Sequence, residues 1–257
     1  MKATIKTVYD IMEEYAPKEL AYDEDNVGLL VGSMADELTG IVLTVDVNME
    51  AIEMANKIGA NLIISHHPVI FEALTEITDK TAVGKVLLSA MKNGINIISA
   101  HTNLDAAEEG VTQTLSEIAG LKNIKKTDLV NVMRIGELDS ETPIEEFIES
   151  LKRNLRIQTV FISRNHPKKI KKVTVVSGRG CSMLQEAKQT GSDIYLLGEI
   201  KHENAVYADI MDLCVIACGH HETEVVILER LKNHLQKRLN GLQLHLGIYD
   251  KSPMVQK

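Results

Sequence analysis

The sequence predicts an α/β fold made of two related lobes, each with a mixed sheet flanked by helices. Strand-like apolar runs alternate with helix-like periodicity, glycines stand where helices would end, and the second half resembles the first. With 257 residues, of which 44% are hydrophobic, the chain is long enough for two lobes that each bury a core.

The elements follow one another with short connections. Pro17 ends the first helix, and Gly59, Gly94 and Gly191 stand at C-cap positions, where a left-handed backbone costs glycine little. Helices are predicted over 3–16, 49–58, 80–92, 108–119, 143–154, 181–190, 203–211 and 222–239. Strands are predicted over 29–31, 41–45, 62–65, 95–99, 130–135, 157–162, 172–177, 193–197, 213–217 and 243–248, with a polar connector near 122–128.

Two stretches of the first half have counterparts in the second. Residues 42–67 can be aligned with 173–199, and residues 97–105 with 216–224. In the latter pair a histidine leaves a strand and a carboxylate follows four residues later in both copies. We therefore expect lobes over 1–127 and 128–257, with equivalent strand ends meeting at one cleft and the C-terminal helix and strand able to pack back on the first lobe.

Charge and cysteine content narrow the class of protein. A net charge of −8 disfavours non-specific nucleic-acid binding as the main task. The local run of Lys168, Lys169, Lys171 and Lys172 is interpreted as a solvated turn before a strand, with a phosphate-binding patch as the alternative. Three cysteines without a paired pattern argue against a disulfide framework, and no signal peptide or apolar membrane span is recognised, so we expect a cytoplasmic protein.

Histidines stand directly after several predicted strands. In open α/β sheets, ligands bind beyond the carboxyl ends of the strands, and a neutral imidazole offers a nitrogen lone pair to an ion. The histidines in question are His66, His67, His101, His220 and His221.

A single histidine at a strand exit is more often a hydrogen-bonding residue at the edge of the core. We interpret His166, His202, His234 and His245 in that way. For the adjacent pair before Pro68 this alternative weakens, because two neighbouring imidazoles are costly to bury unless they are paired.

Carboxylates accompany two of the strand-end histidines. Asp105 follows His101 by four residues, and Glu224 follows His220 by four, so each pair would share a face if a helix begins there. Two carboxylates and at least three histidines suit two divalent ions about 3.5–4 Å apart. The sequence therefore predicts two clustered ions in the cleft between the lobes, with Zn, Fe and Mn all compatible.

Several motifs together resemble the GTP cyclohydrolase I type 2 homologue family. Its members are dinuclear-metal, ring-forming proteins related to the yeast Ngg-one-interacting factor three. The resemblance runs in order from about residue 8 to residue 235. It is carried by residues 25–32 (Asp-Asn-Val-Gly-Leu-Leu-Val-Gly), 64–71 (Ile-Ser-His-His-Pro-Val-Ile-Phe), 101–107 (His-Thr-Asn-Leu-Asp-Ala-Ala), 198–200 (Gly-Glu-Ile) and 219–224 (Gly-His-His-Glu-Thr-Glu).

The resemblance implies a set of metal ligands and an assembly. It implies a ring of six subunits, and it gives His101 a place beside the ligands or facing the substrate, with a ligand role left open. The family often has a tryptophan before its Asp-Asn-Val-Gly segment, where this chain has Glu24. The resemblance therefore does not specify which residues form the rim of the cleft. The implied ligands are His66, His67, Asp105, His220 and Glu224.

Three functions are compatible with these observations. The first is a metal-dependent hydrolase acting on a nucleotide or purine ring, for which the family name suggests GTP. Glu199, His202 and His101 are the candidate catalytic residues, although a solvated helix start is the alternative for the first two, and the segment Ser177–Gly180 could receive phosphate on its amides. The second is a metal-bearing regulatory or interaction protein without turnover, and the third is a nucleic-acid-binding protein.

Overall fold

The computed structural model describes residues 3–240 and 245–254 and has the mixed α/β class that the sequence predicts. The helices are α1 (Ile5–Tyr15), α2 (Met49–Ile58), α3 (Ala82–Lys92), α4 (Thr102–Ala106), α5 (Val111–Ile118), α6 (Ile144–Leu155), α7 (Leu184–Gln189), α8 (His202–Ile210), α9 (His220–Glu224) and α10 (Ile227–Arg238). The strands are β1 (Gly28–Val31), β2 (Gly40–Thr44), β3 (Leu62–Ser65), β4 (Asn96–Ser99), β5 (Lys122–Lys126), β6 (Arg134–Pro143), β7 (Phe161–Ile162), β8 (Lys169–Val175), β9 (Ile194–Leu197), β10 (Val215–Ala217) and β11 (His245–Tyr249).

The described residues divide into two compact units. The first comprises residues 3–107, 228–240 and 245–251, and the second comprises residues 108–227 and 252–254. The expected lobes, 1–127 and 128–257, differ from these units. In the structure β5 pairs with β6 in the second unit, and β11 pairs with β2 in the first. The parallel pairing of β11 with β2 ties the C-terminal strand to the sheet of the N-terminal half.

The first unit contains a five-stranded sheet in the order β1-β4-β3-β2-β11. Only the β1–β4 pairing is antiparallel among these strands. Every residue of β2, β3 and β4 is buried, as expected for parallel strands covered on both faces. Ile52 and Leu87 of the flanking helices α2 and α3 pack into the same core as Ile63.

The second unit contains a six-stranded sheet in the order β5-β6-β8-β9-β10-β7. Strands β8, β9 and β10 are parallel, while β5, β6 and β7 join antiparallel. Helix α6 buries Phe147 and Leu151 in the core that also contains Val173 and Ile194. Its acidic first turn and basic last turn complement the helix dipole.

Three predicted elements were wrong in detail. The polar connector near 122–128 contains the edge strand β5, whose three lysines suit an exposed sheet edge and hide the apolar alternation of a strand. The strand predicted over 130–135 starts only at Arg134 and continues to Pro143, and the strand over 157–162 is reduced to Phe161–Ile162.

The last predicted helix, 222–239, is two helices. Helix α9 begins at His220, and α10 begins at Ile227. Residues 243 and 244 of the strand predicted over 243–248 lie outside the described residues, and β11 covers His245–Tyr249.

Two interpretations from composition can also be compared with the structure. Lys169, Lys171 and Lys172 belong to β8, and the amides of the latter two donate to the Asp193 carboxylate, so the run is part of a strand rather than a turn. Cys181, Cys214 and Cys218 are all free and buried.

Among the residues that the structure describes, no helix combines the length and hydropathy needed to cross a membrane.

Candidate metal centre

In the first unit, three neighbouring strands bring the strand-end histidines together. His66 and His67 directly follow β3, and their amides donate to the carbonyl oxygens of Thr44 and Val45 at 3.0 and 2.9 Å. This extends the pairing of β3 with β2 by two residues and fixes the backbone of both histidines. His101 follows β4 and stands immediately before α4.

The three imidazoles form one compact group. A ligand nitrogen from each of His66, His67 and His101 lies within 4.8 Å of the others. The ring of His66 has its centroid 5.1 Å from that of His67 and 5.2 Å from that of His101. Three nitrogens at this spacing could hold a metal ion.

The Nδ1 atom of each ring is held by an oxygen. His66 Nδ1 donates to the carbonyl of Ala100 at 3.0 Å, and His67 Nδ1 donates to Asp46 Oδ1 at 2.8 Å. His101 Nδ1 donates to Asp25 Oδ1, also at 2.8 Å. Since these oxygens only accept, the proton sits on Nδ1 and the neutral ring presents its lone pair at Nε2. This is the arrangement by which carbonyl and carboxylate groups orient metal-binding histidines.

Asp25 anchors His101 from a different part of the unit. Its second oxygen accepts from the Thr102 amide at 3.0 Å and from the Thr102 hydroxyl at 2.5 Å. Burial by itself raises the pKa of Asp25, but the hydrogen bonds from His101 and Thr102 outweigh it and lower the pKa to about 2. Asp25 is therefore ionised at neutral pH and holds the imidazole in one orientation.

Asp105 joins the same group through helix α4. Its amide donates to the carbonyl of His101 at 3.0 Å, so the two residues are four apart on one helical turn, as the spacing predicts. Asp105 Oδ1 lies 3.8 Å from His66 Nε2. A carboxylate oxygen at this distance from an imidazole lone pair suits two groups that share a cation.

The second unit carries a histidine–carboxylate group on the one-turn helix α9. His220 Nε2 lies 3.1 Å from Glu224 Oε1, and His220 Nδ1 lies 3.3 Å from Glu199 Oε1. Glu224 is buried, whereas Glu199 is exposed. His220 is thus flanked by a carboxylate at each ring nitrogen, and the four-residue spacing again places the pair on one face.

Two glycines leave room for Glu224 and its helix. Gly178 has φ +56°, and a Cβ there would collide with Glu224 Oε1 and lie 3.3 Å from His220 Nε2. A Cβ on Gly198 would lie 2.6 Å from the hydroxyl of Thr223, which also accepts from the Gly178 amide at 3.0 Å. The loop around Gly178 is therefore shaped to the residues of α9.

The loop Ser177–Gly180 does not fit the expected phosphate cradle. The Gly178 amide donates to Thr223, and the Gly180 amide donates to the carbonyl of Gly178 at 3.2 Å. The Ser177 amide is directed to the Thr112 hydroxyl at 3.5 Å. Because these amides serve the protein's own oxygens, they do not form an open anion site.

The remaining candidates lie as follows. His202 begins α8, is exposed, and lines a groove with Phe161, Ile200 and Ile210. Asp25 and Asp46 are functional candidates that sequence reasoning missed. Asp46 stands just after β2 and could have been found by the same strand-end rule as the histidines, whereas Asp25 lies in a loop, where its signal is its place at the start of the family-like segment 25–32.

The fold and these groups define a class of protein: a two-sheet α/β protein whose histidine and carboxylate groups could hold metal. A family model described as Duf34/NIF3 (NGG1p interacting factor 3) matches residues 3–253. The chain belongs to this family, as the sequence motifs suggested.

Curated relatives agree with this assignment. A protein of Clostridium acetobutylicum named GTP cyclohydrolase 1 type 2 homolog is 32% identical over 248 residues, with 92% of each chain covered. A protein of the same name from Methanocaldococcus jannaschii is 31% identical and covers 93% of this chain and 97% of its own.

Solved structures share the fold over the whole chain. The Staphylococcus aureus hypothetical protein SA1388 gives a TM-score of 0.92 at 26% identity, with 100% of both chains covered. Reduced HcgD from Methanocaldococcus jannaschii gives 0.84 at 29% identity, covering 98% of this chain and 99% of its own.

Proposed function

We propose that this chain is a dinuclear metal-dependent hydrolase that acts on a nucleotide or purine ring. The ligands proposed are His66, His67, Asp105, His220 and Glu224, drawn from both units. The observation that carries the proposal is the group of three imidazoles whose Nδ1 atoms are all held by oxygens, which leaves the Nε2 atoms of His66 and His67 for an ion and that of His101 for a proton.

The residues present fit divalent ions well. Imidazole nitrogen and carboxylate oxygen suit Zn, Fe and Mn, and a carboxylate is able to bridge two ions. Bound ions of this kind supply Lewis-acid polarisation of the substrate and lower the pKa of a water. His67 backed by Asp46, and His220 backed by Glu199, would enter such a site already oriented.

The chain's own residues also offer proton transfer. His101 is backed by the ionised Asp25, so its Nε2 is able to accept a proton while the carboxylate stabilises the resulting cation. We retain Glu199 and His202 as further acid–base candidates. Glu199 contacts His220 and thus also orients that ring, while His202 is exposed at the start of α8.

The printed names of relatives suggest the substrate class. Two relatives that are at least 31% identical are named GTP cyclohydrolase 1 type 2 homolog. For GTP, the proposed reaction is hydrolytic opening of the imidazole ring of guanine: one water adds to the ring carbon and breaks one of its C–N bonds to leave a formamide. A second water then hydrolyses the formamide, so that formate leaves and both ring nitrogens remain on the product.

Turnover is the direct test of this proposal. The protein loaded separately with Zn²⁺, Fe²⁺ or Mn²⁺ is incubated with GTP, and formate and a pterin precursor are measured. We expect formate release that disappears in His67→Ala, with His166→Ala as the control because that histidine is exposed and donates only to the Ser163 carbonyl among the contacts described. No product from protein with intact metals would contradict the hydrolase.

A second function is favoured by one specific observation. The matching family is described as NGG1p interacting factor 3, a name that denotes binding to a partner. A metal-bearing interaction protein without turnover would keep its ions and release no formate. Binding of single-stranded DNA that weakens steeply with salt would instead favour a nucleic-acid-binding role.

We also propose a homo-hexamer in the cytoplasm. The family resemblance suggests the ring, and the three free, buried cysteines suit a reducing compartment. Light scattering coupled to size exclusion should give six times the 28.5 kDa chain mass, and a monomer would contradict the ring.

A further inference from the structure

One large aromatic ring stands exposed beside the histidine group of the first unit. Phe71 follows the His66-His67-Pro68 segment in the connection between β3 and α3, and it is 63% exposed. Its ring centroid lies 5.9 Å from that of His101, edge-on at 89°, and 6.3 Å from that of His67. Burial in a core therefore does not explain the position of this ring.

The backbone beside Phe71 is anchored even though its ring is exposed. The Asn26 side-chain amide donates to the carbonyl of Ile70 at 2.6 Å, and Asn26 follows Asp25, which holds His101. Phe71 and His101 are thus attached to one loop through adjacent residues. This arrangement fixes the position of the exposed ring next to the imidazoles.

We propose that Phe71 is a stacking platform that receives the planar heteroaromatic ring of the substrate, with a purine base as the preferred class. The inference rests on the proposed function, since it names the part of the substrate that lies beside the metal ligands. A phenyl ring has no hydrogen-bonding group, so it selects a flat π-system by its face and leaves the polar ring edges for His101 and the ions. A two-ring purine covers more of that face than a single ring does.

The test compares probes with and without a base. The metal-loaded full-length protein is titrated with GTP and with inorganic triphosphate by calorimetry, and bound metal is measured by elemental analysis. The variants are Phe71→Ala and Phe71→Trp. Leu74→Ala is the matched control, since Leu74 is a 41% exposed apolar residue of the same connection.

We expect Phe71→Ala to weaken GTP binding about 5- to 150-fold, the range for loss of one base–aromatic stack, while triphosphate binding and metal content stay unchanged. Phe71→Trp and Leu74→Ala should bind GTP as the wild type does. Wild-type protein that binds GTP no more tightly than triphosphate would overturn the proposal. Normal GTP binding by Phe71→Ala would also overturn it. Loss of metal from Phe71→Ala, as expected for His67→Ala, would overturn it too, because the ring would then stabilise the histidine group and not the substrate.

The failure of this inference can be told apart from failure of the hydrolase. GTP binding that depends on the Phe71 side chain, without formate release, supports the stacking site and contradicts turnover. Formate release that is unaffected by Phe71→Ala, with unchanged GTP affinity, supports the hydrolase and overturns the stacking site.

Discussion

At the scale of single residues, His66, His67 and His101 are each held by an oxygen that lies outside the motif containing that histidine. Asp46 and Asp25 accept from His67 and His101, while His66 uses the Ala100 carbonyl. Of these three rings, only that of His66, which is held by a backbone carbonyl, is fully buried. The rings of His67 and His101, which are held by carboxylates, are partly exposed. The carboxylates therefore fix ring orientation where packing alone does not.

Asp25→Asn should weaken metal binding without unfolding the chain. An amide oxygen still accepts from His101 but carries no charge, and loss of such a supporting carboxylate typically costs about 10- to 100-fold in metal affinity. Chelator competition measures this change. Asp23→Asn, an exposed carboxylate two residues earlier, is the control and should bind metal normally; equal affinity in both variants would contradict a supporting role for Asp25.

At the scale of elements, the short helices α4 and α9 turn a four-residue spacing into shared faces. The sequence predicted a shared face only if a helix begins there, because a histidine and a carboxylate separated by four residues need one helical turn, and helix α4 itself was not predicted. It did not predict that α9 begins at His220, since Gly219 at φ +100° starts that turn and no apolar periodicity marks it. Strand β5 was missed for a related reason: its pairing with β6, and not its own lysine-rich pattern, makes it a strand.

Gly178→Ala tests the fit between a loop and helix α9. An alanine at φ +56° carries a backbone penalty of about 1–2 kcal/mol, and its Cβ would also collide with Glu224. Gly191→Ala is matched in backbone, with φ +63°, but its Cβ would meet nothing within 4 Å. Denaturant unfolding should show both variants destabilised, whereas only Gly178→Ala should bind less metal; metal loss from both would refute this account.

The cysteines that flank β10 should be inert in the folded protein. Burial raises the pKa of Cys214 to about 11, despite a hydrogen bond with Ser163, and burial with the nearby Glu222 charge raises the pKa of Cys218 to about 12. An unfolded thiol ionises near pH 9, so the stability tied to these thiols is kept below pH 9 and falls between pH 9 and about 12. Iodoacetamide at pH 8 should label them only after denaturation, and rapid labelling of the native protein would contradict their burial.

At the scale of the whole molecule, the α/β class, the family and most helices follow from sequence, while the division into compact units does not. Apolar strands such as Leu62–Ser65 can be recognised from their composition, because both of their faces are buried. A return of the C-terminal strand to the first lobe was among the expectations, but its pairing with β2 joins residues some 200 positions apart, and no local pattern specifies that partner. The contribution of metal ligands by both units stays a proposal.

Removal of metal should lower the thermal midpoint of the chain. An ion present at 100 times its dissociation constant adds about 2.7 kcal/mol by mass action, which corresponds to roughly 5–10 °C for a chain of this size. Scanning calorimetry with and without EDTA measures the shift, and added Mn²⁺ or Zn²⁺ should restore it. His67→Ala should respond much less to EDTA, and a wild-type midpoint that ignores the chelator would contradict metal binding.

Anomalous diffraction from metal-loaded crystals, collected at the absorption edge of the bound metal, would locate the ions themselves. We expect two anomalous peaks per chain, and each of the five ligands should have an atom about 2.0–2.3 Å from one of them. These ligands are His66, His67 and Asp105 of the first unit and His220 and Glu224 of the second. Peaks elsewhere, or ions ligated by residues of one unit alone, would contradict this assignment.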